Sequence, residues 1–294
     1  MIFNGLLAYP ITPSLEDGRP DLESLGRHSE TLAQSGVSAI SVLGSSGDFA
    51  YLNRQERAQV IKVAVESAAG RVPIVAGISA IGLREVLEHI SDAQSAGAAG
   101  LLLSPQSYNP LSDSEVIGLG EAAAAATELP LCLYQNARTT QYAFSLEVVA
   151  ELAAVSNIVA FKDNALSVQE FRGRQLGLAG KVPEDFSHGL SGDAMIAQGT
   201  PATAWHSGPA ALVPELYLAL RGAVQRGEPG AIEAASRPLA EFIAVLGSLP
   251  KASTLHSLAR LRGVRTAGPR RPILPLDSGQ EKLLAAALET ALSR

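Results

Sequence analysis

The sequence predicts an α/β chain that closes as a (β/α)8 TIM barrel and continues into a C-terminal helical extension. Three observations carry this. Eight short apolar runs recur, mostly about 25 to 35 residues apart, over the first two-thirds of the chain. The segments between them space apolar residues by three and four, the helical period. From about residue 211 the pattern stays helical to the end. Strands alternating with helices imply parallel strands joined by right-handed crossovers. Eight such units in about 200 residues fit a closed barrel. A doubly wound open sheet is the alternative, but no G-x-G-x-x-G follows the first strand.

The strand candidates are, in order, "GLLAYPIT" (5–12), "VSAISVLG" (37–44), "PIVAGIS" (73–79), "GLLLSP" (100–105), "PLCLYQN" (130–136), "IVAFKDN" (158–164), "FSHGLSGD" (186–193) and "TPATAWHS" (200–207). Most are continuously apolar, as strands covered on both faces are. The seventh is polar for a barrel strand, and only "AMIAQG" separates it from the eighth. Between the runs lie "DLESLGRHSETLAQSG", "NRQERAQVIKVAVESAAG" and "LREVLEHISDAQSAG", each ending at the helix-stop residue glycine. Helices are expected over 211–226, 230–248, 252–262 and 278–293. The first closes the barrel and the other three are surplus to it. The expected division is therefore a catalytic barrel, 1–225, and a helical extension, 226–294.

Bulk properties narrow the function. The chain has 294 residues, 47% of them hydrophobic, and a formal charge of −6. That balance argues against a nucleic-acid or anionic-membrane surface. No run reaches the roughly 18 apolar residues that a membrane span needs. The N-terminal "MIFNGLLAYPITP" lacks the basic start and long apolar stretch of a signal peptide. A cytoplasmic protein is expected. The single cysteine, Cys132, reads as a core thiol. The five histidines show no metal-binding spacing, and Walker, Rossmann and G-x-S-x-G motifs are missing.

In such a barrel, reactive groups sit at the C-terminal strand ends. Those ends offer Thr12, "GSSGD" (44–48), Ser79, Ser104, Tyr134, Lys162 and Asp193. Of five lysines, Lys162 alone ends a strand-like run. A neutral lysine attacks ketones to form a Schiff base, which serves as an electron sink. Reaching neutrality near pH 7 needs a pKa shift of about 3 units, of the order that burial supplies. Tyr134 on the adjacent strand is placed to relay protons. The competing reading is a rim lysine paired with Asp163 or another carboxylate, and spacing alone favours it. "GSSGD" reads either as an anion-binding nest or as an ordinary βα loop.

Four segments, in matching order and spacing, resemble the pyruvate-dependent class I aldolases that include dihydrodipicolinate synthase and N-acetylneuraminate lyase. They are "GSSGDFAYLNRQER", "LYQNARTT", "IVAFKDN" and "LSGDA". The resemblance spans nearly the whole chain. It implies a lyase without cofactor or metal, working as a cytoplasmic homo-oligomer, typically a tetramer, on a small 2-oxo acid and an aldehyde. It implies Lys162 as the imine-forming residue and Tyr134 as the proton relay. Ser45 and Ser46 would hold the pyruvate carboxylate, with Thr139, Tyr108 and Thr203 as further substrate-binding candidates. Departures from the synthase pattern are also present. Gln106 and Ser107 stand where synthases carry two tyrosines, with Tyr108 one residue late. Thr139 stands at the arginine position, with Arg138 one residue early, and Asp48 replaces a glutamate. Trp205 and His206 are bulky where the family is usually small. An unidentified aldehyde is therefore expected as partner. The alternatives are the synthase itself, a sugar-acid dehydratase or aldolase, and a non-catalytic barrel that binds 2-oxo acids.

Overall fold

The computed structural model describes residues 1–293; Arg294, the last residue of the expected extension, lies outside them. Eight strands form a closed parallel barrel in chain order: β1 Gly5–Ala8, β2 Ala39–Val42, β3 Ile74–Gly77, β4 Gly100–Leu103, β5 Leu131–Gln135, β6 Ile158–Asp163, β7 Ser187–Leu190 and β8 Ala204–Ser207. The first and last strands close the ring in parallel, with Gly5 opposite Ala204 and Leu7 opposite His206.

Side chains alternate across each strand, and two separate apolar clusters record this. Phe3, Leu7, Tyr9, Ala39, Val75, Leu102, Cys132, Tyr134, Ala160 and Ala204 fill the inside. Leu6, Ala8, Ile40, Val42, Leu101, Leu103, Leu133 and Phe161 pack outward beneath the helices. Both faces are buried, so the runs read as continuous apolar stretches. The polar seventh run is a barrel strand for a specific reason. Its Ser187 hydroxyl donates to the Phe3 carbonyl at 2.6 Å, and His188 faces outward to a carboxylate on β6.

Helix starts are capped as their sequences promise. Asn53–Glu56, Ser112–Glu115 and Asp277–Gln280 each form reciprocal capping boxes. The four expected C-terminal helices lie at Pro214–Arg226, Pro229–Gly247, Lys251–Leu261 and Ser278–Leu292. Lys251, directly after Pro250, opens the third of them. That helix buries Ser253 through Ala259 and brings His256 to the loop after β2. The extension therefore builds part of the barrel mouth as well as adding to its side.

Candidate active site

Alternation along β6 decides where its polar residues go. Phe161 and Asp163 face the helices, and Lys162 between them points into the barrel. Asp163, fully buried, is bound by Arg174, by His188 Nε2 at 3.0 Å and by Gln135 Nε2 at 3.3 Å. It is thus no partner for Lys162. Among the described residues no carboxylate lies within ion-pair distance of the Lys162 ammonium. Its neighbours are two aromatic faces. Nζ sits 3.7 Å from the Tyr9 ring centroid and 3.8 Å from that of Tyr134. Burial pushes the Lys162 pKa down, against opposing pulls from Tyr134, Cys132 and Asp193, while Lys251 adds to the lowering. The rim salt-bridge reading of this lysine is therefore replaced by a buried amine between two rings.

Tyr134 is in register with Lys162 on the neighbouring strand. Burial alone would raise its phenol pKa. The Lys162 and Lys251 cations and hydrogen bonds with Ser45 and Asn136 outweigh that and bring it below the ordinary value. Asn136 Nδ2 donates to the phenol oxygen at 3.2 Å, and Asn164 Nδ2 donates to Asn136 Oδ1 at 3.3 Å. A phenol with a lowered pKa beside an amine with a lowered pKa is suited to passing a proton between them. Cys132, one layer deeper, is inert by comparison: burial raises its thiol to about 12.

Ser45 and Ser46 lie in a one-turn 3-10 segment, Ser45–Gly47, directly after β2. The loop is entered and left by residues with positive φ, Leu43 at 59° and Asp48 at 55°. For residues other than glycine this costs about 1–3 kcal/mol each. The strain is held by a buried network: Asp48 Oδ2 accepts from Arg270 Nη1 and meets His256 Nε2, both at 3.0 Å. Arg270 also donates to the Thr12 carbonyl at 2.9 Å, and the Thr12 hydroxyl donates to the Gly47 carbonyl at 2.7 Å. Ser46 Oγ occupies space beside Gly208, where a Cβ would lie 2.5 Å away. The "GSSGD" segment is thus a rigid, strained turn at the mouth.

Neutral polar groups continue the lining along β3 and β4. Ser79 and Ser104 hydroxyls are 3.0 Å apart, and Gln106 Nε2 donates to Ser104 Oγ at 3.0 Å. Not all expected binding residues join the cluster. Thr203 precedes β8 and so lies at the N-terminal end of the barrel, opposite the mouth; only its carbonyl is engaged, by Gly5 N–H and Arg221. Tyr108 is 85% exposed and turned to solvent. Thr139 sits on the short helix Ala137–Thr140, its hydroxyl donating to the Asn136 carbonyl at 3.2 Å, and neighbouring Arg138 is exposed. Conversely, Tyr9, Asn136, Asn164, His256 and Arg270 belong to the site or its support and were not singled out from sequence. Tyr9 was legible in principle, because strand alternation puts it on the same face as Leu7. Among the described residues no group of three or more His, Cys, Asp or Glu side chains is placed to hold a metal ion. Among the described residues no helix is long and apolar enough to cross a membrane.

The dihydrodipicolinate synthetase family model matches residues 2–291. The chain belongs to this family. Its members are class I aldolases and lyases, and the chain is a lyase of that type. A protein named probable 5-dehydro-4-deoxyglucarate dehydratase 2 from Streptomyces avermitilis is 31% identical over 98% of this chain and 87% of its own. A 4-hydroxy-tetrahydrodipicolinate synthase of Dechloromonas aromatica is 30% identical over 99% of both chains. The crystal structure of dihydrodipicolinate synthase from Agrobacterium tumefaciens superposes with a TM-score of 0.94 at 34% identity, covering 99% of this chain and 98% of that one. Relatives at similar distance are thus named for two different activities.

Proposed function

We propose that Lys162 forms a Schiff base with pyruvate or a related 2-oxo acid, with Tyr134 relaying protons and the Ser45–Ser46 turn holding the carboxylate. One observation carries this reading: a buried amine between two aromatic rings, without a carboxylate, whose pKa burial lowers. The neutral amine adds to the 2-oxo carbon, and the ketone oxygen leaves as water. The resulting iminium withdraws electrons from the adjacent carbon, so that a bond one atom further out is made or broken.

The partner is read from the mouth. Gln106, Asn136, Asn164, Ser79 and Ser104 are neutral donors and acceptors, and Arg138 and Tyr108 are exposed. Such a lining matches hydroxyl groups better than a second carboxylate, which gains most from a bidentate arginine. A hydroxylated aldehyde, or a hydroxylated 2-oxo acid cleaved or dehydrated at the imine, is the substrate class this supports. The dehydratase name of the Streptomyces relative agrees on a hydroxylated 2-oxo acid, although a glucarate carries a second carboxylate at its far end. The enzyme would work as a cytoplasmic homo-oligomer, in line with exposed apolar side chains such as Ile81, Leu166 and Leu176.

The test is reductive trapping. With pyruvate and borohydride, label is expected on Lys162 alone, and Lys162→Arg should abolish it, because a guanidinium stays protonated. Label on another lysine, or none, refutes the mechanism. A screen of hydroxyaldehydes with pyruvate, and of hydroxylated 2-oxo acids alone, then identifies the partner by product mass. Efficient turnover of aspartate semialdehyde, above about 10⁴ M⁻¹s⁻¹ in kcat/KM, would instead support synthase activity.

A further inference from the structure

The barrel wall formed by β1 and β8 carries a contact to Lys162 that the proton relay does not use. Tyr9, just beyond β1, lays its ring as close to Nζ as Tyr134 does, at 3.7 Å against 3.8 Å. Its hydroxyl is tied to His206 Nδ1 on β8 at 2.7 Å, with the ring centroids 5.8 Å apart. The imidazole has room because β7 offers a glycine at that level. A Cβ on Gly189 would lie 2.2 Å from His206 Nε2, and Gly189 is in register with Lys162. Four strands thus form one chain of dependence. The gap on β7 admits the imidazole of β8, the imidazole fixes the phenol of β1, and the phenol ring lies on the amine of β6. A leucine at 206 would fill the same space without leaving a buried ring nitrogen, Nε2, unpartnered, so packing by itself does not account for the histidine.

We propose that Tyr9, held by His206, is a positioning residue that supplies the second face of an aromatic clamp on the Lys162 nitrogen and so favours the cationic imine. The proposal rests on imine formation at Lys162. In that step the amine lone pair forms the C–N bond and the carbonyl oxygen departs as water. The water carries one proton from the amine and one from an acid, so the nitrogen ends with one hydrogen and a positive charge. Aromatic faces attract a cation and give little to a neutral amine. Above the pKa of the free amine, the clamp therefore stabilises the imine alone. Below it, the free ammonium is stabilised as well, and the two effects cancel.

That cancellation provides the test. The groups facing Lys162 are Tyr9 on β1, Cys132 and Tyr134 on β5, Asp193 after β7, His206 on β8 and Lys251 of the covering helix. All but Tyr9 are shared by the wild type and Tyr9→Leu, so the difference between the two proteins reports the ring. The half-saturating pyruvate concentration for cyanoborohydride trapping is measured on the full chain between pH 6 and 9. Tyr9→Leu should raise it on the order of tenfold at the alkaline end and much less at the acid end. A wild type that takes no label refutes the imine reading itself. A labelled wild type with an unchanged Tyr9→Leu variant, or one shifted equally at every pH, overturns the clamp and leaves the imine standing. If Tyr9→Leu does not fold, His206→Leu decides: it keeps the ring but releases its hydroxyl. It should show the same pH-dependent pattern at about threefold, and no change would overturn the proposal.

Discussion

Two buried aspartates, Asp48 and Asp163, are each held by one arginine and one histidine, yet their partners come from very different distances along the chain. Asp163 is bound by Arg174, Gln135 and His188, which lie 11, 28 and 25 residues away on the following helix and the neighbouring strands. Asp48 is bound by His256 and Arg270, 208 and 222 residues away. The first centre pins β6 to its own crossover helix on the outside of the barrel. The second ties the strained loop after β2 to the extension, with Thr266 continuing the network at 2.9 Å from His256 Nδ1. The same three residue types thus serve two ends. One secures the strand that carries Lys162, and the other shapes the turn that would receive the substrate carboxylate. Their exposure differs too: Arg174 keeps 19% of its side chain in solvent, whereas Arg270 and Asp48 each keep 4%.

That contrast predicts unequal consequences. Arg270→Leu should have the largest effect. It leaves the buried Asp48 carboxylate with His256 alone, and removing one partner of a buried ion pair usually costs about 3–5 kcal/mol. It also frees the 45–48 turn, so kcat/KM should fall about ten- to a hundredfold, the scale of a slightly misplaced binding group. Denaturant melts and steady-state kinetics on one preparation measure both. A variant that loses stability but keeps kcat/KM would remove the turn's dependence on the extension.

Acid sensitivity is expected from a third buried group, outside both centres. His28 is buried away from both, with Nε2 unpartnered, and burial lowers its pKa from 6.5 to about 4. The unfolded chain takes up that proton below about pH 6.5 while the folded chain resists until about 4. Stability is therefore full above 6.5 and is lost as pH falls toward 4, by about 3 kcal/mol. His28→Leu should flatten this part of the pH–stability curve; an unaltered slope would show that the acid sensitivity arises elsewhere.

Arg174→Leu should be milder, about 2 kcal/mol, near the value of a hydrogen bond to a charged group. Asp163 keeps Gln135 and His188, and the lost guanidinium was already partly solvated. Trapping at Lys162 should stay within about twofold of wild type. A collapse of trapping would mean that the outer face of β6 controls its inner face, and the two centres would no longer divide stability from binding.

These centres also mark how far the sequence could be read. The barrel was legible because each strand advertises itself locally, through a short apolar run bounded by turn residues, and because eight units leave few ways to close. Lys162 and Tyr134 could be placed at the mouth because they end such runs, whereas the roles expected of them came from the resemblance. Thr203 was a substrate-binding candidate through the resemblance alone, not through its place in the eighth run. The strand starts at Ala204, leaving Thr203 at the other end of the barrel.

By itself, the amino-acid order determined the period of each element, the caps, the parallel arrangement and which side of a strand each residue occupies, since all of these depend on neighbours within a few positions. Only the tertiary structure decided that Tyr9 and His206 meet across the closure of the barrel, that Gly189 makes room for them, and that His256 and Arg270 reach Asp48. Those contacts join residues separated by up to 222 positions. Their geometry follows from closing one ring of strands and folding the last helices over its mouth, which no local pattern encodes.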